Sequence, residues 1–330
     1  MPKDEKKAET QHYVPIFLLK KFCVLGKNQV WVFDKHNDNT FRTNIKNIAS
    51  ELNYNVFDLS DYTVDAEPIF TFIENETAPV VQKIIDRENL SDLTPLEHAK
   101  IATLVIIQFF RTRQFREMTL FLNETLVNKI RQIGGDPSQV QDFIELDENS
   151  IKLMTARFVL KFEEFVPAIL DKNWILFKTK RNKFFYLSDN PVTLHNDNDL
   201  RPYGNLGLAV PGVQIYLPIS KLLTLGFWCP SILGKAHENY RHVHALRGHL
   251  PLRAAYSNLG VIITKFEALI SAIRSGQPVT CTHDNVTFMN SLQVTFSHRF
   301  VISCNNDFTL PKKMIEDNSE YRRGLKQKIE

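Results

Sequence analysis

Two apolar periods follow one another along the chain. QVWVFDK and FRTNIKNI alternate with period two on either side of the polar stretch from His36 to Thr40, which predicts a β-hairpin with Asp34 at its turn end. From Glu67 to Arg87 the period lengthens: Ile69, Ile73, Val80, Ile84 and Ile85 recur on one side of a predicted helix. The next helix starts at Thr94-Pro95-Leu96-Glu97, where Thr94 accepts from first-turn amides, Pro95 needs no donor and Glu97 reaches back as a capping box. It is predicted to run without a break to about Ile133, where Gly134 and Gly135 stop it. A further helix is predicted over Asn149–Asp171, bent or shortened at Pro167.

At Trp174 the pattern returns to strands. WILFKTK and KFFYLS read as a second hairpin around Arg181-Asn182, and QIYLPI and LLTLGFW as further strands. Helices follow over His237–Leu246, Val261–Ser275 and Asn285–Ser297, and RFVIS is a last strand. The expected class is α+β, with the N-terminal hairpin and the strands of residues 174 to 228 forming one mostly antiparallel sheet covered by long helices. Residues 11–310 are expected to form a single domain. The charged leader 1–10 and the tail 311–330 are expected to be solvated.

Composition narrows the class without naming an activity. The chain of 330 residues is 43% hydrophobic and 23% charged, which fits a packed globule. Its apolar runs are too short to span a bilayer, so a soluble, cytoplasmic protein with no membrane partner is expected. Cys23, Cys229, Cys281 and Cys304 are scattered with no Cys-x-x-Cys pair, as in a reducing compartment, and argue against zinc on cysteine. A net charge of +3 permits a nucleic acid or nucleotide partner but is a faint footprint. No Walker loop, dinucleotide fingerprint or Gly-x-Ser-x-Gly elbow is present.

Candidate chemistry lies in separate stretches. His12, beside the proline-fixed turn at Pro15, suits an acid or base of a nuclease-like hydrolase, with Asn28 or His36 as the other member of a metal-nuclease motif. Alternatively its ring bonds a buried carbonyl. Gln108 and Arg111, three apart in LVIIQFFRTR, share a face that is otherwise apolar. They must meet either an anion in a cleft or a carboxylate, for which Asp189 is the candidate. Arg113 and Arg116 are expected in solvent. Asp189, at the end of the strand KFFYL, suits a general base or a ligand of a divalent metal ion, or else Asp-Asn-Pro is a structural turn. Asn290 and Gln293 lie one turn apart, facing the cleft or bonding at the core edge. His237, His242, His244 and His249 have no i, i+4 pair and read as surface residues.

Gln11-His12-Tyr13-Val14-Pro15, then Gln108-x-x-Arg111-Thr112, Ser188-Asp189-Asn190-Pro191-Val192 and Leu217-Pro218-Ile219-Ser220 occur in an order that resembles the bacterial Domain of Unknown Function 4238 family. The resemblance covers about residues 11 to 303 and brings no assigned activity. Members typically carry a basic residue after the first proline, where this chain has Ile16. The expected site therefore comprises His12, Arg111 and Asp189 as catalytic residues and Gln11, Gln108, Asn190 and Asn290 on the substrate. Phosphodiester hydrolysis is the leading function, and non-catalytic recognition of a nucleotide or peptide the alternative.

Overall fold

The computed structural model describes residues 9–58, 63–140, 143, 145–180, 182–198, 200, 205–246 and 255–325. Its strands are β1 (Thr10–His12), β2 (Gln29–Asp34), β3 (Asn39–Asn44), β4 (Ser50–Leu52), β5 (Val56–Asp58), β6 (Thr63–Asp65), β7 (Asn173–Lys178), β8 (Leu187–Ser188), β9 (Thr193–His195), β10 (Gln214–Ser220), β11 (Leu223–Trp228), β12 (Val279–Thr280) and β13 (Phe300–Ser303). The α-helices are α1 (Ile16–Leu19), α2 (Glu67–Arg87), α3 (Pro95–Phe110), α4 (Arg113–Gln132), α5 (Glu148–Leu160), α6 (Val166–Leu170), α7 (Pro230–Leu246), α8 (Ala255–Ser275), α9 (His283–Phe296) and α10 (Thr309–Asp317). This is an α+β fold rich in antiparallel pairing.

The strands do not form the one sheet expected. Among the described residues they make a five-stranded sheet, β12-β7-β11-β10-β9, a four-stranded sheet, β3-β2-β13-β8, and the two-stranded pairs β1-β4 and β5-β6. The hairpin β2-β3 forms as predicted, with Phe33 opposite Thr40. The second predicted hairpin does not: β7 pairs with β11 and β12, while β8 leaves for the other sheet and pairs with β13. Arg181, at its supposed turn, lies outside the described residues. The chain between β7 and β8 thus passes from one sheet to the other, and carries Asp189 with it.

The four-stranded sheet is buried on both faces. Val30, Val32 and Ile302 point into the main core, whereas their neighbours Phe33 and Val301 join Tyr186, Val294, Phe308 and Ile315 in a second, smaller cluster. That cluster needs α10. Pro311 and Ile315 are buried, so the tail expected in solvent is packed at least to Leu325, which rests against the main core.

The helix expected from Pro95 to Ile133 is interrupted at Arg111-Thr112. The capping box at Thr94 and Glu97 forms as read. Thr112, however, turns extended and its hydroxyl accepts from Phe115 N, starting α4 anew. The Arg111 carbonyl, released from the helix, accepts from the Tyr54 hydroxyl at 2.8 Å. This break brings the Arg111 side chain inward. Pro167 has its predicted effect: Asn149–Asp171 is split into α5, a 3-10 turn and α6. Among the described residues no helix is long and apolar enough to cross a membrane.

Candidate functional site

The motifs separated in sequence meet around Tyr13. β1 ends there, and the Tyr13 carbonyl accepts from Gln108 Nε2 at 3.1 Å and Arg111 Nε at 3.0 Å. Gln11 is held beside it, its carbonyl accepting from Asn55 N and its amide donating to Asp65. Arg111 is 1% exposed. Its carboxylate partner is Glu74 on α2, at 2.7 Å, and its guanidinium lies over the Phe70 ring. The expected pairing with Asp189 is not formed. Glu74 was readable: four residues after Phe70, it falls on the buried stripe of α2, where a carboxylate requires a cation.

His12, next to Tyr13, lies in the fields of Glu74 and Arg111, and burial lowers its pKa. Its Nε2, Arg111 NH1 and Gln108 Oε1 are sealed from solvent and have no hydrogen-bond partner within the protein. His12 and Arg111 thus lie within each other's electrostatic reach, each with a ring or guanidinium nitrogen closed to solvent. Arg116, expected in solvent, is buried with its guanidinium 3.8 Å from the Tyr54 ring centroid. Arg113 is half-exposed and pairs with Glu51 and Glu117.

Asp189 lies on the other side of Tyr13, whose pKa its charge helps to raise, behind burial as the larger cause. Its carboxylate accepts three backbone N–H groups, from His298 at 2.8 Å, Arg299 at 2.7 Å and Phe300 at 2.8 Å. It thereby shapes the turn between α9 and β13. Burial raises its pKa to about 6, opposed by those amides and by Lys35. Lys35 is itself fully buried, donates to the Val294 and Ser297 carbonyls at the end of α9, and is lowered by burial to about 8. With three amides on it, Asp189 is engaged as an anchor; it is not the open base or metal ligand expected of a strand end.

The other substrate-binding candidates are similarly committed. Asn190 accepts from Thr112 Oγ1 at 2.7 Å and donates to the Phe296 carbonyl. Asn290 brackets the chain before β8, accepting from Tyr186 N and donating to the Phe184 carbonyl. Gln293 does the same further on, bonding Ser188 Oγ and the Pro191 carbonyl. Each is buried and joins one motif to another. Among the described residues no group of three or more His, Cys, Asp or Glu is placed to hold a metal ion. His242 and His244 fall on α7, and His249 lies outside the described residues.

A family model, Protein of unknown function (DUF4238), matches residues 10–307. The chain belongs to that family. No curated protein and no solved structure matches it. The family's motifs, as they stand here, build a hydrogen-bonded knot that ties β1 to α3 and α3 to β8 and α9.

Open space lies next to the knot. A cleft of about 460 Å³ is lined by His36, Gln114, Glu117, Met118, His298 and residues 322–325. The rings of His36 and His298 meet edge to face, 5.4 Å apart. His298 is placed by the Asp189 bond to its own amide. His36 follows Asp34, which accepts from His36 N and forms a two-pronged pair with Arg299, 3.0 Å to Nε and 2.6 Å to NH2. Burial first, and then Arg113, His36, Lys35 and Arg299, lower His298 to about 4. His36 is also lowered, by burial and Arg299, but Asp34 and the His298 backbone pull it back up. Two histidines held towards the neutral form thus face the cleft. His36 entered the sequence reading only as a metal-nuclease alternative and His298 not at all, because nothing in the spacing of SHRF links it to residue 36.

Proposed function

We propose that the cleft between His36 and His298 binds a phosphate group and that the protein is a phosphodiester hydrolase acting there without a carboxylate base. The observation that carries this reading is the pair of ring-to-ring histidines on an open cleft. Burial lowers both rings, His298 the more strongly, so both are neutral and able to accept a proton near pH 7. His298, the more strongly lowered, suits the base that takes a proton from water or a sugar hydroxyl. His36, beside Asp34, suits the acid that protonates the leaving oxygen once the phosphate's negative charge has raised its pKa. A nucleic acid is the partner this chemistry suits, and four free thiols support a reducing, cytoplasmic setting.

His12 Nε2 and Arg111 NH1 are closed to solvent, so the chemistry is placed at the open cleft and not on His12 and Arg111. The test is cleavage of end-labelled single-stranded RNA and DNA by the parent, His298→Ala and His36→Ala. Cleavage by the parent that drops at least a hundredfold in either variant is expected. Cleavage unaffected by both substitutions overturns the reading. A second reading, non-catalytic recognition of a nucleotide, is favoured by the lowering of both histidines, which leaves no proton donor before the ligand arrives. It predicts a raised Tm with nucleotide and no turnover.

A further inference from the structure

The C-terminal segment supplies a wall of the cleft, and its two adjacent arginines are used differently. Arg322 is committed: NH1 donates to the Lys35 carbonyl at 3.3 Å and NH2 to Asp38 at 3.2 Å. Three residues on, the Leu325 carbonyl accepts from the buried Gln114 amide at 2.7 Å. The Leu325 side chain enters an apolar slot with Phe109, Phe115 and Phe296. Between these anchors a Cβ on Gly324 would collide with the Gln114 amide, so the chain lies directly on α4. Arg323, pinned from both sides, is exposed, lines the cleft and has no ion pair among the described residues. The cleft's carboxylate, Glu117, is already paired with Arg113.

A guanidinium held at a cleft mouth by its neighbours, with no internal ion pair, offers a planar fork of N–H donors that can engage two oxygens of a tetrahedral phosphate. Resting on the cleft reading, we propose that Arg323 is the residue that contacts the phosphate of the substrate, and that Arg322, Gly324 and Leu325 are the anchors that present it. The substrate class is then a single-stranded nucleic acid, one phosphate of which sits between Arg323 and the histidine pair. The cleft has room for little beyond a nucleotide, and the remaining chain would pass along the exposed face of α4.

The experiment is fluorescence anisotropy of a labelled ten-nucleotide single-stranded RNA at several salt concentrations, with Arg323→Ala, Arg323→Lys and His298→Ala beside the parent. Arg323→Ala is expected to weaken binding about tenfold and to lower the slope of log affinity against log salt by about one. Arg323→Lys should restore the slope but not the full affinity. If Arg323→Ala binds like the parent while His298→Ala loses affinity, the assignment of Arg323 is overturned and the cleft stands. If the parent does not bind, or neither variant changes binding, the cleft reading falls and the assignment with it. Circular dichroism melting of each variant confirms the fold, which substitution of an exposed side chain leaves intact.

Discussion

Two polar centres flank Tyr13, and they differ in whether their atoms are used up. On one side His12, Arg111, Glu74 and Gln108 form a closed group in which Arg111 bonds Glu74 and the Tyr13 carbonyl. On the other, His36 and His298 face open space, while the charges behind them, Asp189, Lys35 and Asp34, are committed to the backbone or to Arg299. The residues whose type and spacing stood out in sequence belong mainly to the closed centre and the knot. A polar residue set in an apolar run stands out because it must be compensated, and compensation inside a core is structural as often as chemical.

The comparison breaks first at Asp189. Asp189→Ala removes the acceptor for three amides and the charge facing Lys35, so a loss on the order of 4 kcal/mol is expected in urea unfolding. A loss below about 1 kcal/mol would mean that the carboxylate is not an anchor. Arg111→Met is next, at about 3 kcal/mol, because it strands Glu74, which is only partly exposed. The double variant Arg111→Met, Glu74→Gln should recover part of that loss, and a strictly additive result would deny the pair. His298→Ala, by contrast, should change stability by less than about 1 kcal/mol at neutral pH, since its ring borders a cleft.

The pH dependence sharpens the contrast. A histidine lowered to about 4 in the folded protein binds protons more readily when unfolded, so its share of stability is full above about 6.5 and is lost as pH falls towards 4. Asp189, raised to about 6, acts oppositely: it takes up a proton more readily in the folded state, which offsets acid destabilisation as pH falls from about 6 towards 4. The difference between parent and His298→Gln isolates the histidine. The parent should lose about 2 kcal/mol more than the variant between pH 6.5 and 4. Equal losses would show that His298 is not held neutral.

Local signals carried most of the fold. The Thr94 capping box, the α2 helix and the β2-β3 alternation all rest on contacts within a few residues and were legible, although Ile69 of the expected α2 stripe is exposed and Phe70 is buried in its place. What was not legible depends on partners far along the chain. The helix break at Arg111 needs the Tyr54 hydroxyl and the inward Arg111 side chain, and the transfer of β8 to the second sheet needs β13, more than a hundred residues on. The tail read as polar because α10 buries only one stripe, Pro311 and Ile315 among its charges. The site divided in the same way. His12, Arg111 and Asp189 were expected as one catalytic group; Arg111 pairs with Glu74 and Asp189 with three amides instead, and His298 becomes a neighbour of His36 only through the Asp189 turn and the Asp34–Arg299 pair.

Nitrogen-15 and proton resonances of the histidine rings, followed while inorganic phosphate is added at pH 6.5, test the central claim most directly. The account predicts that His36 and His298 shift together and that their pKa values rise as the anion's charge enters the cleft, while His12 is unmoved. A shift of His12 with His36 and His298 silent would place the working site in the closed centre and contradict the account.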